Sequence, residues 1–128
     1  MAQARNQVSA LAAQATTAVG TQVDVSGYQF VQVPIFCADG TATVKIRGCL
    51  LSGVALGSAA AVANPWDYVA CYDLEDMVLL AGDTGVSLTS GDCRNLYINC
   101  AGLWAVALEV TAVSGGKVTA WVITYDNE

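Results

Sequence analysis

The chain contains no histidine among its 128 residues. A Ser-His-Asp or Cys-His catalytic arrangement is therefore excluded, because the imidazole base at its centre is missing. Neither a G-x-S-x-G nucleophile elbow nor a phosphate-cradling P-loop occurs. The five cysteines, Cys37, Cys49, Cys71, Cys93 and Cys100, are odd in number and form no CxxC pair. Without histidine they do not complete a zinc set, and they read as small buried hydrophobes in a chain made in a reducing cytoplasm. The expectation is a protein that is not an enzyme and carries no cofactor.

Charge is scarce as well. Charged residues make up 12% of the chain, against about 25% in an average soluble domain. Eleven acids outnumber five bases, for a net charge of −6 and an isoelectric point near 4.2. That balance removes the basic face on which nucleic-acid binding depends, so no nucleic-acid partner is expected. Long apolar runs are also missing. The most apolar stretch, Cys49 to Pro65, is interrupted by Ser52, Gly53, Gly57 and Ser58, and a membrane-crossing helix needs about 20 consecutive apolar residues. Between Met1 and Thr17 the apolar segment is Val8 to Ala13, short for the core of a secretory signal. No membrane partner is expected.

Hydrophobic residues nevertheless make up 55% of the chain, and mean hydropathy is +0.49. With no membrane span to account for it, such an excess points to faces covered by other subunits. The length suits one domain.

Residues 1–20 contain no aromatic residue and are rich in Ala, Gln and Thr. They read as an arm, partly helical or extended, ordered by contact with a partner. From Thr21 to Glu128 the pattern is that of strands. Ala42, Val44 and Ile46 alternate with Thr43, Lys45 and Arg47, and Leu96, Ile98 and Cys100 alternate in the same way. Trp104, Val106, Leu108 and Val110 share one parity of a long β-prone run. Asp39-Gly40 and Ser114-Gly115-Gly116 supply hairpin-type turn signals, and Asn64-Pro65 is a breaker pair. About eight strands at this spacing predict an antiparallel β-sandwich or barrel. Helical periodicity is missing after residue 20, which argues against a βαβ fold.

Among side chains that could carry function, Asp73, Glu75, Asp76 and Asp83 read as a solvated loop, and their spacing does not match a calcium-binding loop. Trp66, Tyr68, Ala70 and Tyr72 alternate along one strand face. Such aromatics fill a core or an interface, or form a platform for sugars. Trp66, Tyr68, Tyr72, Trp104 and Trp121 are therefore interface candidates. Arg47 and Arg94, two of the five basic residues, join them as residues placed to pair with acids across a subunit boundary.

The order of these segments carries a resemblance. GYQFVQVPI at Gly27–Ile35 is followed by GTATVKIRG at Gly40–Gly48 and PWDYV at Pro65–Val69. RNLYINCAGLWAVALEVTAVSGGKVTAWV then runs from Arg94 to Val122. Over about residues 21–125 this resembles the small β-sandwich structural proteins of tailed bacteriophages. The chain departs from their pattern in its five cysteines, in the Cys49–Asn64 insertion, and in having Ala63-Asn64-Pro65 before the tryptophan. The resemblance implies a jelly-roll sandwich, with an immunoglobulin-like one as second choice. It implies a capsid decoration or cement protein on the virion surface, forming a homotrimer and binding the major capsid protein. A carbohydrate-binding head-fibre or tail module that touches the host surface is the alternative.

Overall fold

The computed structural model describes residues 5–53 and 66–125. Among them every regular element is a β-strand. The strands are β1 (Arg5–Gln14), β2 (Ala18–Val19), β3 (Val23–Asp24), β4 (Phe30–Ala38), β5 (Thr41–Cys49) and β6 (Asp67–Tyr68). They continue as β7 (Cys71–Asp73), β8 (Val78–Leu80), β9 (Val86–Leu88), β10 (Cys93–Asn99), β11 (Ala105–Ser114) and β12 (Lys117–Tyr125).

Two antiparallel sheets form a β-sandwich. One has the order β1-β12-β4-β10-β7-β8. The other has the order β2-β11-β5-β6, with β3 also on β11 and β9 also on β5. Both β2 and β3 pair with β11, so together they act as one interrupted strand. On β5, β6 pairs near Arg47 and β9 pairs near Val44, which makes a second interrupted strand. The framework is then eight strands in the spatial orders 1-8-3-6 and 2-7-4-5, the connectivity of a jelly roll. The β7–β8 hairpin extends the first sheet beyond it.

The alternating residues meet between the sheets. Val31, Val33, Ile35, Leu96 and Ile98 of the first sheet are fully buried, as are Val44, Val106, Leu108 and Val110 of the second. Inner faces of period-2 strands interdigitate in this way to make a sandwich core.

Both glycine turns form, but neither closes a hairpin. β4 and β5 lie in different sheets, as do β11 and β12, so each turn is a corner that carries the chain across the sandwich. Asp39 and Gly40 have φ of 60° and 52°. A Cβ on Gly40 would stand 2.1 Å from the Ser114 carbonyl oxygen of the other corner. The two corners are packed backbone to backbone, which only glycine allows.

The expectation of an N-terminal arm over residues 1–20 is corrected in its described part. β1 pairs with β12 from Arg5 to Gln14, and β2 belongs to the opposite sheet. Register shifts fall between Ser9 and Leu11 and again before Gln14. Through the first of them Ala10 and Leu11, adjacent in sequence, both enter the core. A bulge inserts one residue and breaks strict alternation, so the segment lacks the period of a strand. Asn64 and Pro65 lie outside the described residues.

Candidate interaction faces

The sequence places Trp66, Tyr68 and Tyr72 on one strand face; the structure divides them. β6 belongs to the sheet of β11 and β5, four-stranded once β2 and β3, and β6 and β9, are each counted as one interrupted strand. β7 belongs to the other, six-stranded sheet, so the chain changes sheets at Val69–Ala70. Trp66 and Tyr68 lie on the outside of the first of these, and Tyr72 on the outside of the second.

On the outer face of the four-stranded sheet, Cys49, Ala105 and Ala107 form a small apolar cluster separate from the main core. Small residues there leave room for a large cover. Trp66 supplies it and is only 4% exposed. Trp104 packs against the same cluster, edge-on to Trp66, with ring centroids 6.2 Å apart. Trp104 thus does not share the inward face of Val106, Leu108 and Val110. It precedes β11, its N–H donates to the Cys49 carbonyl, and its ring turns to the other side of the sheet.

Next to this cluster, Arg47 and Glu109 meet across β5 and β11. Arg47 Nε donates to Glu109 Oε1 at 2.7 Å, and Arg47 Nη2 donates to the Tyr68 hydroxyl at 3.1 Å. The Tyr68 hydroxyl donates to the same carboxylate oxygen at 2.9 Å. Lys45 Nζ lies 4.9 Å from the centre of the Tyr68 ring, within cation–π reach. Burial pulls the Arg47 guanidinium down, but the hydrogen bond and charge of Glu109 outweigh it and hold its pKa above the ordinary value. Burial, then the Glu109 hydrogen bond and charge, push Tyr68 up.

Arg94 likewise pairs within the chain. Arg94 Nη1 donates a short hydrogen bond to Asp73 Oδ2, and the Glu75 N–H donates to Asp73 Oδ1 at 3.0 Å. Asp73 is therefore a buried anchor, not part of a solvated loop. Its two carboxylate oxygens each have a partner, which is the condition for burying a charge.

The outer face of the six-stranded sheet has a different character. Phe30 stacks on Tyr97 with ring centroids 5.2 Å apart, and Tyr72 lies 6.4 Å from Tyr97 on its other flank. Trp121 alternates with the core residues Ala120 and Val122 and so faces outward on β12. Beyond Tyr72 the sheet ends at β8. There Met77, Val78 and Leu79 are 68%, 46% and 56% exposed. The alternation of Arg94–Cys100 pointed to Tyr97 as an outward residue, but its aromatic neighbours come from β4 and β7, whose positions depend on topology.

The fold and these faces define a jelly-roll β-sandwich whose distinctive side chains lie on its outside. No family model matches the chain, and no curated protein does. Solved structures do. The SPBc2 prophage-derived protein YomS is similar with a TM-score of 0.72 and 17% identity, over 98% of this chain and 96% of that one. The PBSX exported protein XepA is similar with a TM-score of 0.74 and 12% identity, over 98% of this chain and 39% of that one. At these identities the likeness is one of fold.

Proposed function

We propose that this chain is a structural protein of a bacteriophage particle. It assembles with copies of itself, as a homotrimer, and decorates the head by binding the major capsid protein. The observation that carries the assembly reading is the β8 edge. Met77, at the turn into β8, and Val78 and Leu79 on that last strand of the sheet are three consecutive exposed apolar residues. Natural proteins protect such edges with charge, proline or a covering partner. None of the three is charged, so the reading assigns the protection to a neighbouring subunit.

Two further points support the phage setting. A protein named as prophage-derived shares the fold over nearly its whole length. The run of motifs from Gly27 to Val122 resembles phage β-sandwich proteins. The role asks for binding faces and no catalytic group. In this reading the protein is made in the host cytoplasm and ends on the virion surface. The test is co-sedimentation of the purified protein with capsid shells of the source phage. Saturable binding at symmetry-related sites is expected. Protein that stays in the supernatant at every shell concentration would overturn the capsid reading.

A further inference from the structure

We infer that the outer face of the six-stranded sheet is a binding platform for a neutral polysaccharide, centred on Tyr97. This goes beyond the structural role, and it needs Tyr72 to stay open beside the covered β8 edge, since Tyr72 pairs with Leu79.

The case begins with charge. The outer face of the four-stranded sheet carries Lys45, Arg47 and Glu109. The outward positions of β4, β10 and β7 carry none between them. Alternation with the buried residues puts Phe30 and Gln32 outward on β4, Asn95, Tyr97 and Asn99 outward on β10, and Tyr72 outward on β7. A solvated sheet face ordinarily gathers the charged residues of its strands. These three strands gather aromatic rings and primary amides instead, and the outward Lys117 of β12 stands at the other end of β4 from Phe30, opposite Ala38.

The arrangement matches the chemistry of a sugar chain. A pyranose ring has apolar C–H faces and a rim of hydroxyl groups. The negative face of an aromatic ring attracts such C–H groups. Amides offer a donor and an acceptor together, which suits a hydroxyl that is both. Along β10, Asn95, Tyr97 and Asn99 follow one another at about 6.8 Å on the same side, so amide, ring and amide alternate.

Two grooves flank this line. One, of about 460 Å³, is lined by Gln32 and Asn95 and, as its one charged residue, Glu75, which would repel an anionic polymer. The other, of about 450 Å³, is lined by Tyr72, Tyr97 and Asn99, with Leu79 of β8 as its far wall. Both volumes fall in the range of small-molecule sites, about 300–1,000 Å³. An anionic polymer would find no countercharge among these six residues. A protein partner would have to bury the Asn95 amide and the Asn99 amide N–H groups, at a cost unless each were matched.

The test is affinity electrophoresis of the full chain through gels containing dextran, galactomannan, hydroxyethylcellulose or, as the anionic case, alginate. Retardation in at least one neutral gel is expected, with none in alginate. Tyr72→Ala and Asn95→Ala, each checked for an unchanged far-ultraviolet spectrum, should weaken that binding about tenfold. Lys45→Ala on the opposite face should leave it unchanged. Equal mobility in every gel would overturn the inference, as would retardation that survives Tyr72→Ala or is strongest in alginate. So would a drop in solution mass in Tyr72→Ala, since that would show the face covered by a second copy.

Discussion

Trp66 stands edge-on to Trp104, and the two rings close the outer face of the four-stranded sheet over Cys49. The Cys49 thiol beneath them is buried, with Trp66 as the buried part of its cover. Trp66→Ala should cost about 3–5 kcal/mol of stability. It should also turn Cys49 from inert to reactive toward an aromatic disulfide reagent while the protein is still folded. Urea unfolding and mass-mapped thiol labelling check the two effects. Unchanged Cys49 protection would contradict the covering role.

The Arg94–Asp73 pair is lopsided, with a buried carboxylate and a partly exposed guanidinium. Arg94→Ala leaves the carboxylate buried with one oxygen unpaired. It should cost about 2–3 kcal/mol. Adding Asp73→Asn should recover part of that loss, because the stranded charge is then gone. A double-mutant cycle by chemical denaturation measures the coupling. Additive losses would show that the two residues do not act as a pair.

Burial, with a smaller contribution from Asp73, pushes the Cys71 thiol up to about 11. Burial raises Cys37 and Cys100 as well. A thiol whose folded pKa lies above its unfolded one contributes stability that is full below the unfolded value. That contribution is lost as the pH climbs through the folded value. Stability should therefore fall between about pH 8.5 and 11, the lower limit being the ordinary thiol pKa. Cys71→Ala should lower stability at neutral pH yet make the alkaline decline shallower. Melting temperatures from pH 7 to 11 test this, and parallel curves for the two proteins would contradict it.

How much of this was legible in the sequence varied with local regularity. Strands with unbroken alternation, such as Thr41–Arg47 and Arg94–Cys100, could be read directly, and their inward residues are the core. The all-β class and an antiparallel sandwich or barrel followed from strands and turns alone, whereas the jelly roll was implied by the resemblance to phage β-sandwich proteins. Misreadings arose where alternation was interrupted or outlived its strand. β1 was hidden by its bulge, which sends both Ala10 and Leu11 inward. From Trp66 to Tyr72 the alternation continues while the chain passes from one sheet to the other. The Gly40 and Gly115 turns have the residues of hairpins, but what decides between hairpin and corner is the long-range pairing of β4 with β12 and β10. The aromatic group of Phe30, Tyr97 and Tyr72 joins three strands distant in sequence, and local spacing carries no sign of it.

Because β1 is a strand of the sandwich, removing residues 1–20 should not yield a folded protein with a lost arm. It takes Ala10 and Leu11 from the core and strips one side of β12. The truncated chain is expected to be unfolded or aggregated by circular dichroism and gel filtration. A soluble truncated protein with an unchanged melting temperature would show that β1 is dispensable.

The central claim is that the β8 edge is covered by a second copy of the chain. The most direct measurement is solution mass by light scattering for the natural protein and for Leu79→Glu. The account predicts a multiple of 13.2 kDa, three-fold for the trimer, for the natural chain, and a folded single subunit for the variant. A single subunit for the natural chain, or an unchanged oligomer carrying Leu79→Glu, would contradict it.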